Sequence, residues 1–209
     1  MTPRHARTLV APLAALVLAA AGCAKHDDSG TTQATSSPTA SPAAPPTSSV
    51  QFLGTHYPSQ GHAHFEEGAS TAFAYNSNPP TSGPHKEMFS DTFNSATPLP
   101  KYVQVHLLEH GNVLLQYNCD CPQLAGALYQ IAYGYDSKLI PSDQLQPTTA
   151  QVQAAEESGA AVIVAPYPGM THKIALTAWT RLATLDAVDQ AKIMSFINAY
   201  VHNTANASQ

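Results

Sequence analysis

Regular hydrophobic patterning starts only about halfway along the chain. Between Val50 and Pro100 the sequence is rich in Gly, Pro, Ser, Asn and His and has little periodicity. This pattern predicts long ordered loops with one short strand near Phe73–Tyr75. Loops of this length in a compact domain are usually functional or held in place by other groups.

The second half of the chain carries the patterns of helices and strands. Two β-rich runs, Tyr102–Leu108 and Val113–Tyr117, flank a His-Gly-Asn turn and predict a hairpin. Apolar residues at helical spacing predict three helices, and apolar runs near Pro and Gly predict two more strands. The helices are predicted at Leu124–Tyr133, Val152–Ser158 and Asp186–His202, and the strands at Ala161–Tyr167 and Ile174–Trp179. The predicted fold is an α+β domain: a small, mostly antiparallel sheet covered by two or three helices, with long ordered N-terminal loops.

The N-terminus has the pattern of an export signal. Arg4, His5 and Arg7 precede an apolar run, Leu9–Ala21, of 13 residues. A membrane-spanning helix needs about 20 apolar residues, so this run is too short to remain as a spanning anchor. We interpret it as the apolar part of a cleaved signal peptide.

The end of this run resembles a bacterial lipobox. Ala20-Ala21-Gly22-Cys23 places small residues before a cysteine, with Ala where the box usually has Leu. Residues 1–22 are therefore predicted to be a lipoprotein signal peptide, and Cys23 the lipidated first residue of the mature chain. Membrane lipid is then a partner through the acyl chains, and the protein lies in the cell envelope on the extracytoplasmic side of a membrane, in the periplasm if the source is Gram-negative. The alternative is an ordinary cleavage site followed by an incidental cysteine.

Composition divides the remainder of the chain into a tether and one domain. Residues 23–49 are mainly Ser, Thr, Pro and Ala with a few charged residues, a composition that predicts a disordered tether. Residues 50–209 contain neither a repeat nor a second linker and are predicted to form a single domain. The chain has 9 Lys+Arg against 14 Asp+Glu, so it has no basic excess to bind nucleic acid.

Histidine is the unusual residue of the domain, which contains eight of the ten in the chain. These are His56, His62, His64, His85, His106, His110, His172 and His202. Imidazole is the commonest metal ligand in proteins, so the group raises the hypothesis of a metal site. Each histidine taken singly is also compatible with an ordinary hydrogen-bonded role.

The segment His106-Leu-Leu-Glu-His110 is the densest part of this group. On a straight strand its two imidazoles would lie about 13 Å apart, too far to share an ion. On a helical turn the same spacing makes them neighbours, and both could reach one metal. Glu109 is then a ligand, a group that orients an imidazole, or a solvated charge.

Sulfur atoms provide a second set of candidate ligands. Cys119 and Cys121 follow a predicted strand and precede a predicted helix, where they could form a disulfide, a redox couple or a soft ligand pair for Cu(I). Met88 lies three residues after His85, and Met170 lies two before His172. Thioethers beside imidazoles favour copper, although methionines in loops also serve as ordinary packing residues.

Three strings of the domain together resemble a known family. They are Tyr75-Asn-Ser-Asn-Pro-Pro-Thr-Ser-Gly-Pro-His85, Val105-His-Leu-Leu-Glu-His-Gly111 and Ile174-Ala-Leu-Thr-Ala-Trp179. They resemble the bacterial domain-of-unknown-function family 3105, which occurs in exported or membrane-anchored proteins, over roughly Gly61 to Tyr200. The resemblance implies a shared fold and supplies no activity. It also implies that His64, His85, His106 and His110 occupy family-motif positions.

The leading functional hypothesis is an envelope lipoprotein that binds a transition metal. Its predicted ligands are His64, His85, His106 and His110, with Glu109, Cys119, Cys121, Met88 and Met170 as additional candidates for metal or redox chemistry. Copper is favoured and zinc is the second choice, and metal handling or delivery is favoured over catalysis. The alternatives are a thiol redox protein that uses Cys119 and Cys121, and a non-catalytic interaction module.

Overall fold

The computed structural model describes residues 51–204, which fall within one compact unit. The predicted signal peptide, Cys23 and the tether lie outside the described residues. Within these residues no helix has the length and apolar character needed to cross a membrane.

The described chain contains four helices, five strands and a short 3-10 helix. In chain order they are β1 (Thr55–His56), α1 (Lys101–Glu109), β2 (Val113–Tyr117), α2 (Pro122–Asp136), the 3-10 helix (Ser137–Leu139), α3 (Thr149–Glu157), β3 (Val162–Pro166), β4 (Ile174–Ala178), β5 (Arg181–Leu185) and α4 (Gln190–Tyr200). The long segment between β1 and α1 is irregular, as the scarcity of periodicity predicts.

The strands form one mixed sheet in the order β1-β5-β4-β2-β3. Three of its neighbouring pairs are antiparallel, and β2 with β3 is the parallel pair. A parallel pair needs a long crossover connection, and here α2 and α3 provide it. The predicted α+β class with a mostly antiparallel sheet is confirmed.

Helices cover both faces of this sheet. Val113 and Leu115 of β2 pack in one core cluster with residues of α2 and α4, whereas Leu114 packs in a second cluster with residues of α1 and α3. Successive residues of a strand point to opposite faces, so β2 is buried on both sides. This explains why apolar residues occupy three consecutive positions, 113–115, at the start of β2 instead of alternating with polar ones.

Local sequence signals account for the starts of three helices. Pro122 occupies the first turn of α2, where its missing N–H is not needed. Thr148 and Gln151 form a capping box at the start of α3. The Asp189 side chain accepts a hydrogen bond from the backbone N–H of Lys192, 3.1 Å away, and caps α4.

The predicted hairpin is wrong because its first strand is helix α1. The segment 103–108 is buried throughout, so its apolar residues show neither strand nor helix periodicity, and a short buried run fits both. The strand predicted near Phe73–Tyr75 is also wrong, since this segment is irregular. Strand β5 was not predicted because it follows β4 after only Trp179 and Thr180, a tight turn with Thr180 at a positive φ of 60°.

Candidate metal centre

The last turn of α1 provides two of the candidate ligands. His106 and Glu109 are three residues apart on the helix and therefore lie on the same side. His106 Nδ1 lies 3.9 Å from Glu109 Oε2. The helical geometry, one of the two alternatives that the spacing left open, is the one that this chain adopts.

Two loop segments provide the other histidines, and a backbone bridge joins them. Phe65 N donates to His85 O at 2.7 Å, and His85 N donates to Ala63 O at 3.0 Å, so that His64 and His85 lie side by side. Their ring centroids are 4.8 Å apart. This bridge brings together two residues that are far apart in the sequence.

The Pro-Pro-Thr-Ser-Gly-Pro-His string holds the second of these loops in place. Thr81 and Ser82 are fully buried. Thr81 O accepts from Thr180 N at 2.9 Å, which ties the string to the turn between β4 and β5. Ser82 Oγ accepts from Gln60 N at 3.0 Å, which ties it to the segment before His64. The string therefore serves to position His85.

Four side chains converge at one place. One donor atom from each of His64, His85, His106 and Glu109 can be chosen so that all four lie within 4.8 Å of one another. Donors bound at about 2.0–2.1 Å to a common ion lie up to about 4 Å apart, so small side-chain rotations would suffice to bind one ion. The group could hold a metal ion.

A hydrogen bond to a backbone carbonyl fixes the orientation of His85. Its Nδ1 lies 3.0 Å from Gly83 O, and its Nε2 lies 2.9 Å from Glu109 Oε2. A carbonyl can only accept, so Nδ1 donates and the Nε2 lone pair of a neutral ring points into the cluster. A backbone carbonyl bound to the distal nitrogen is the usual way in which proteins orient a metal-binding histidine.

His106 is buried, and neither of its ring nitrogens has a hydrogen-bond partner within residues 51–204. Burial, followed by the nearby His110, His85 and His64, lowers the pKa of His106 to about 4. The ring is therefore neutral at pH 7 and has a free lone pair. A buried polar group without a partner is costly, and in a native protein it calls for an explanation such as an ion.

His64 is the exposed member of the group, with 44% of its side chain accessible. Its Nδ1 lies 2.9 Å from Glu87 Oε1 at the surface. If Nδ1 donates to this carboxylate, Nε2 remains free to bind a metal. His64 thus lies at the solvent side of the cluster, whereas His85 and His106 lie at its buried side.

His110 lies beside the cluster and is not one of the four converging side chains. It is the C-terminal cap residue of α1, and its Nδ1 lies 2.9 Å from Glu157 O. Its ring packs edge-on against that of His106 at 4.6 Å. The ligand role of His110 stays a prediction.

The sulfur-bearing candidates lie in three different environments. Met88 is partly exposed and lines a surface depression together with His64 and Glu87. Met170 is buried in a separate cluster with Tyr167. Cys119 and Cys121 form a disulfide, the first of the three alternatives for this pair.

The other four histidines have separate surroundings. His56 belongs to β1 and His62 to the loop before His64, and both are exposed. His172 pairs with Asp186 at 3.2 Å. His202 Nδ1 lies 3.2 Å from Ser158 O.

Sequence reasoning missed two neighbours of the cluster. Glu87 contacts His64. Its position two residues after His85 is the sequence feature that could have indicated a place near the cluster. The ring of Phe89 packs against those of His106 and His110 at 4.7 and 5.0 Å, so it shields the buried side from water. An aromatic residue in a Gly- and Pro-rich loop gave no comparable signal.

Comparison with known proteins identifies the family and leaves the chemistry open. No match to the chain was found among curated proteins or among solved structures. The family model described as Protein of unknown function (DUF3105) matches residues 66–209, a range that includes His85, His106 and Glu109 and begins two residues after His64. Since this match covers well over half of the chain, the protein belongs to the DUF3105 family.

Proposed function

We propose that this protein is an envelope lipoprotein that binds one transition-metal ion through His64, His85, His106 and Glu109. The observation that carries the proposal is His106, a buried neutral imidazole without a hydrogen-bond partner beside three other potential ligands. An ion bound there would supply the partner that this ring otherwise lacks. Four donors from two loops and a helix would also cross-link the irregular half of the domain to its core.

The donor set favours a divalent ion. Three imidazoles and one carboxylate suit Cu²⁺ and Zn²⁺, and Cu²⁺ binds such nitrogen sites more tightly. The arguments for Cu(I) are weaker, because Cys119 and Cys121 are joined in a disulfide and Met170 packs elsewhere. Met88, which borders the same depression as His64, is the remaining soft donor. We therefore propose copper first and zinc second.

A holding or delivery role fits this arrangement better than catalysis. Four protein donors complete a four-coordinate site, whereas catalytic zinc sites usually keep one position for water or substrate. The exposed His64 gives the ion a ligand that could move aside, while His85 and His106 stay buried. Exchange of the ion with a partner would then proceed from the His64 side.

The envelope location rests on the sequence of the N-terminus. A lipid on Cys23 and the tether of residues 24–49 would place the domain near a membrane surface. The test is mass spectrometry of the mature N-terminal peptide together with membrane fractionation of the wild type and Cys23→Ala. An acylated Cys23 and release of the variant from the membrane are expected; an unmodified N-terminus would contradict the anchor.

The metal proposal is tested on the full chain, purified without a histidine tag and titrated with Cu²⁺ and Zn²⁺. One equivalent is expected to bind with a dissociation constant below about 1 µM, roughly −8 kcal/mol. His106→Leu should abolish this binding. His172→Ala is the matched control, since His172 is exposed and paired with Asp186, and it should bind like the wild type. Equal binding by all three proteins, or none by the wild type, would contradict the proposal and favour an interaction module.

A further inference from the structure

A cavity that no histidine lines lies beside the outer edge of β3. It has a volume of about 330 Å³, at the lower end of the range for small-molecule sites. Its walls come from α2, from the loop after Asp91 and from the segment that follows the 3-10 helix. Its main lining side chains are Phe93, Tyr129, Tyr133, Asp136, Ile140 and Leu145.

Asp136 provides the polar group of this cavity. Its side chain is nearly fully buried, and its Oδ1 accepts a hydrogen bond from Val162 N, 2.9 Å away, at the outer edge of β3. Within residues 51–204 this is the one hydrogen bond that the Asp136 carboxyl accepts, and it leaves Oδ2 available. An asparagine could accept the same bond, so capping the strand edge does not by itself require an ionisable group.

The lining of the cavity offers no cation to this carboxyl. Among the residues that line the cavity, all within the described part of the chain, none is Lys, Arg or His. Burial, and to a smaller extent the neighbouring Glu156, raises the pKa of Asp136 to about 8, while the bond from Val162 acts in the opposite direction. A positive group placed at Oδ2 would favour the ionised carboxylate.

The remaining surface of the cavity is aromatic and apolar. Tyr129 and Tyr133 lie one turn apart on α2, with ring centroids 6.0 Å apart and planes inclined by 43°. Leu145, at the rim, leaves 89% of its surface in water, and Tyr133 leaves 44%. Large apolar side chains left exposed around a concave polar site are a mark of ligand binding.

We propose that this cavity binds a small molecule in which a short aliphatic link joins a primary ammonium group to an aromatic ring. The ammonium bonds Asp136 Oδ2, and the rings of Tyr129 and Tyr133, which line the same cavity, provide cation–π partners. The aromatic ring of the ligand packs against Tyr133 and Leu145 and covers apolar surface that is otherwise wet. The site shares no residue with the metal cluster, so it is independent of the proposed metal function.

The test uses the full chain with benzylamine as the probe and benzyl alcohol as its neutral counterpart. Binding is followed by the chemical shifts of backbone amides. Benzylamine should saturate shifts in Tyr129–Leu145 at concentrations below about 10 mM and bind at least tenfold more tightly than benzyl alcohol. Asp136→Asn, which retains the oxygen facing Val162, should remove the preference for the charged probe.

A second variant keeps the test valid if Asp136→Asn does not fold. Tyr133→Ala changes a partly exposed side chain, and it should weaken benzylamine binding at least fivefold. Met194→Ala, a partly exposed residue of α4, is the control and should bind like the wild type. Absence of saturable shifts in the wild type, equal affinity for the two probes, or unchanged binding by Tyr133→Ala would overturn the proposal.

Discussion

Nε2 of His85 lies 2.9 Å from Oε2 of Glu109, and the opposite ring nitrogen faces a carbonyl. Both neighbours are acceptors when Glu109 is ionised, but a neutral imidazole has a single N–H to donate. The contact between His85 and Glu109 therefore requires an additional proton or a cation. A metal ion shared by both side chains satisfies this requirement.

Glu109→Gln is expected to weaken metal binding without unfolding the protein. The amide can donate to the lone pair of His85 Nε2, so the metal-free protein gains a complete hydrogen bond, while the carboxylate ligand is lost. We expect metal affinity to fall at least tenfold, measured by competition with a chelator of known affinity. Glu87→Gln is the matched control, because Glu87 is 70% exposed and bonds only the outer side of His64. A larger effect at Glu87 than at Glu109 would refute this assignment.

His106→Leu is expected to leave the metal-free protein as stable as the wild type, or more stable. The substitution removes two buried nitrogens that have no partner within residues 51–204 and places an apolar side chain next to Phe89. A buried polar group without a partner costs about 1–3 kcal/mol of stability. Removing it therefore compensates for imperfect packing of the new leucine side chain. Urea unfolding in the presence of chelator measures the difference.

The same variant should lose the stabilisation that the wild type gains from metal. Binding at a free concentration 100 times the dissociation constant adds about 2.7 kcal/mol to the free energy of unfolding. The wild type should show this increase, and His106→Leu should not. A strongly destabilised metal-free variant would instead indicate that His106 has a structural role.

Two buried carboxyl groups predict a loss of stability in mildly alkaline solution. Burial is the main cause that raises the pKa of Asp136 to about 8 and that of Glu156 to about 7, from ordinary values of 3.8 and 4.5. The folded state thus retains protons that the unfolded state releases, so its stability falls as pH rises from about 4 towards 8. His106, with its pKa lowered to about 4, opposes this trend below pH 6.5. The net loss should therefore be clearest between pH 6.5 and 8.5.

Amide variants isolate this effect. Asp136→Asn combined with Glu156→Gln removes both titrations while retaining oxygens that can accept from Val162 N and Ser90 N. Each carboxyl contributes a slope of up to about 1.4 kcal/mol per pH unit inside its window. Urea unfolding of the metal-free protein at pH 6.5 and at pH 8.5 measures the change. Between these pH values the free energy of unfolding should fall by about 1–3 kcal/mol for the wild type and by less for the double variant. Equal losses would refute the assignment.

The disulfide between Cys119 and Cys121 predicts that metal binding does not depend on these residues. The cluster adjoins the end of α1, which precedes β2, whereas the cysteines follow the other end of that strand. Five residues of extended chain separate the two ends by about 16 Å. The double variant with serine at both positions should bind one equivalent of metal with unchanged affinity. Loss of the metal on this substitution would instead support the sulfur-ligand alternative.

The sequence predicted most of the helices and strands, but the geometry of the site depended on tertiary contacts. His106 lies in the segment 103–108, which is buried throughout, and Glu109 follows it, so periodicity could not distinguish a strand from the helix that the chain forms. The approach of His64 to His85 depends on a single backbone bridge between irregular segments, for which no local pattern exists. The family resemblance pointed to both residues without indicating that they touch. Asp136 and Glu156 went unnoticed because burial, which the sequence does not display, is what makes them unusual.

Gly159 is expected to be essential for the alignment of the cluster. It follows α3 with a φ of +70°, a conformation that side chains disfavour. A Cβ atom added there would overlap the backbone oxygen of His110. Gly159→Ala must therefore displace either its own turn or the end of α1, the helix that carries His106 and Glu109. We expect a loss of more than about 2 kcal/mol in the free energy of unfolding, because positional strain and a backbone clash act together.

Gly126 provides a control for the substitution at Gly159. Gly126 lies within α2, where an added Cβ would meet no atom within 4 Å, so Gly126→Ala should stabilise the protein by about 0.5–1 kcal/mol. Urea unfolding of both metal-free variants checks the opposite signs, and a metal titration of each follows. Gly159→Ala should also weaken metal binding, since the end of α1 moves relative to the loops that carry His64 and His85. Unchanged metal affinity in a destabilised Gly159→Ala would contradict the placement of metal ligands at the end of α1.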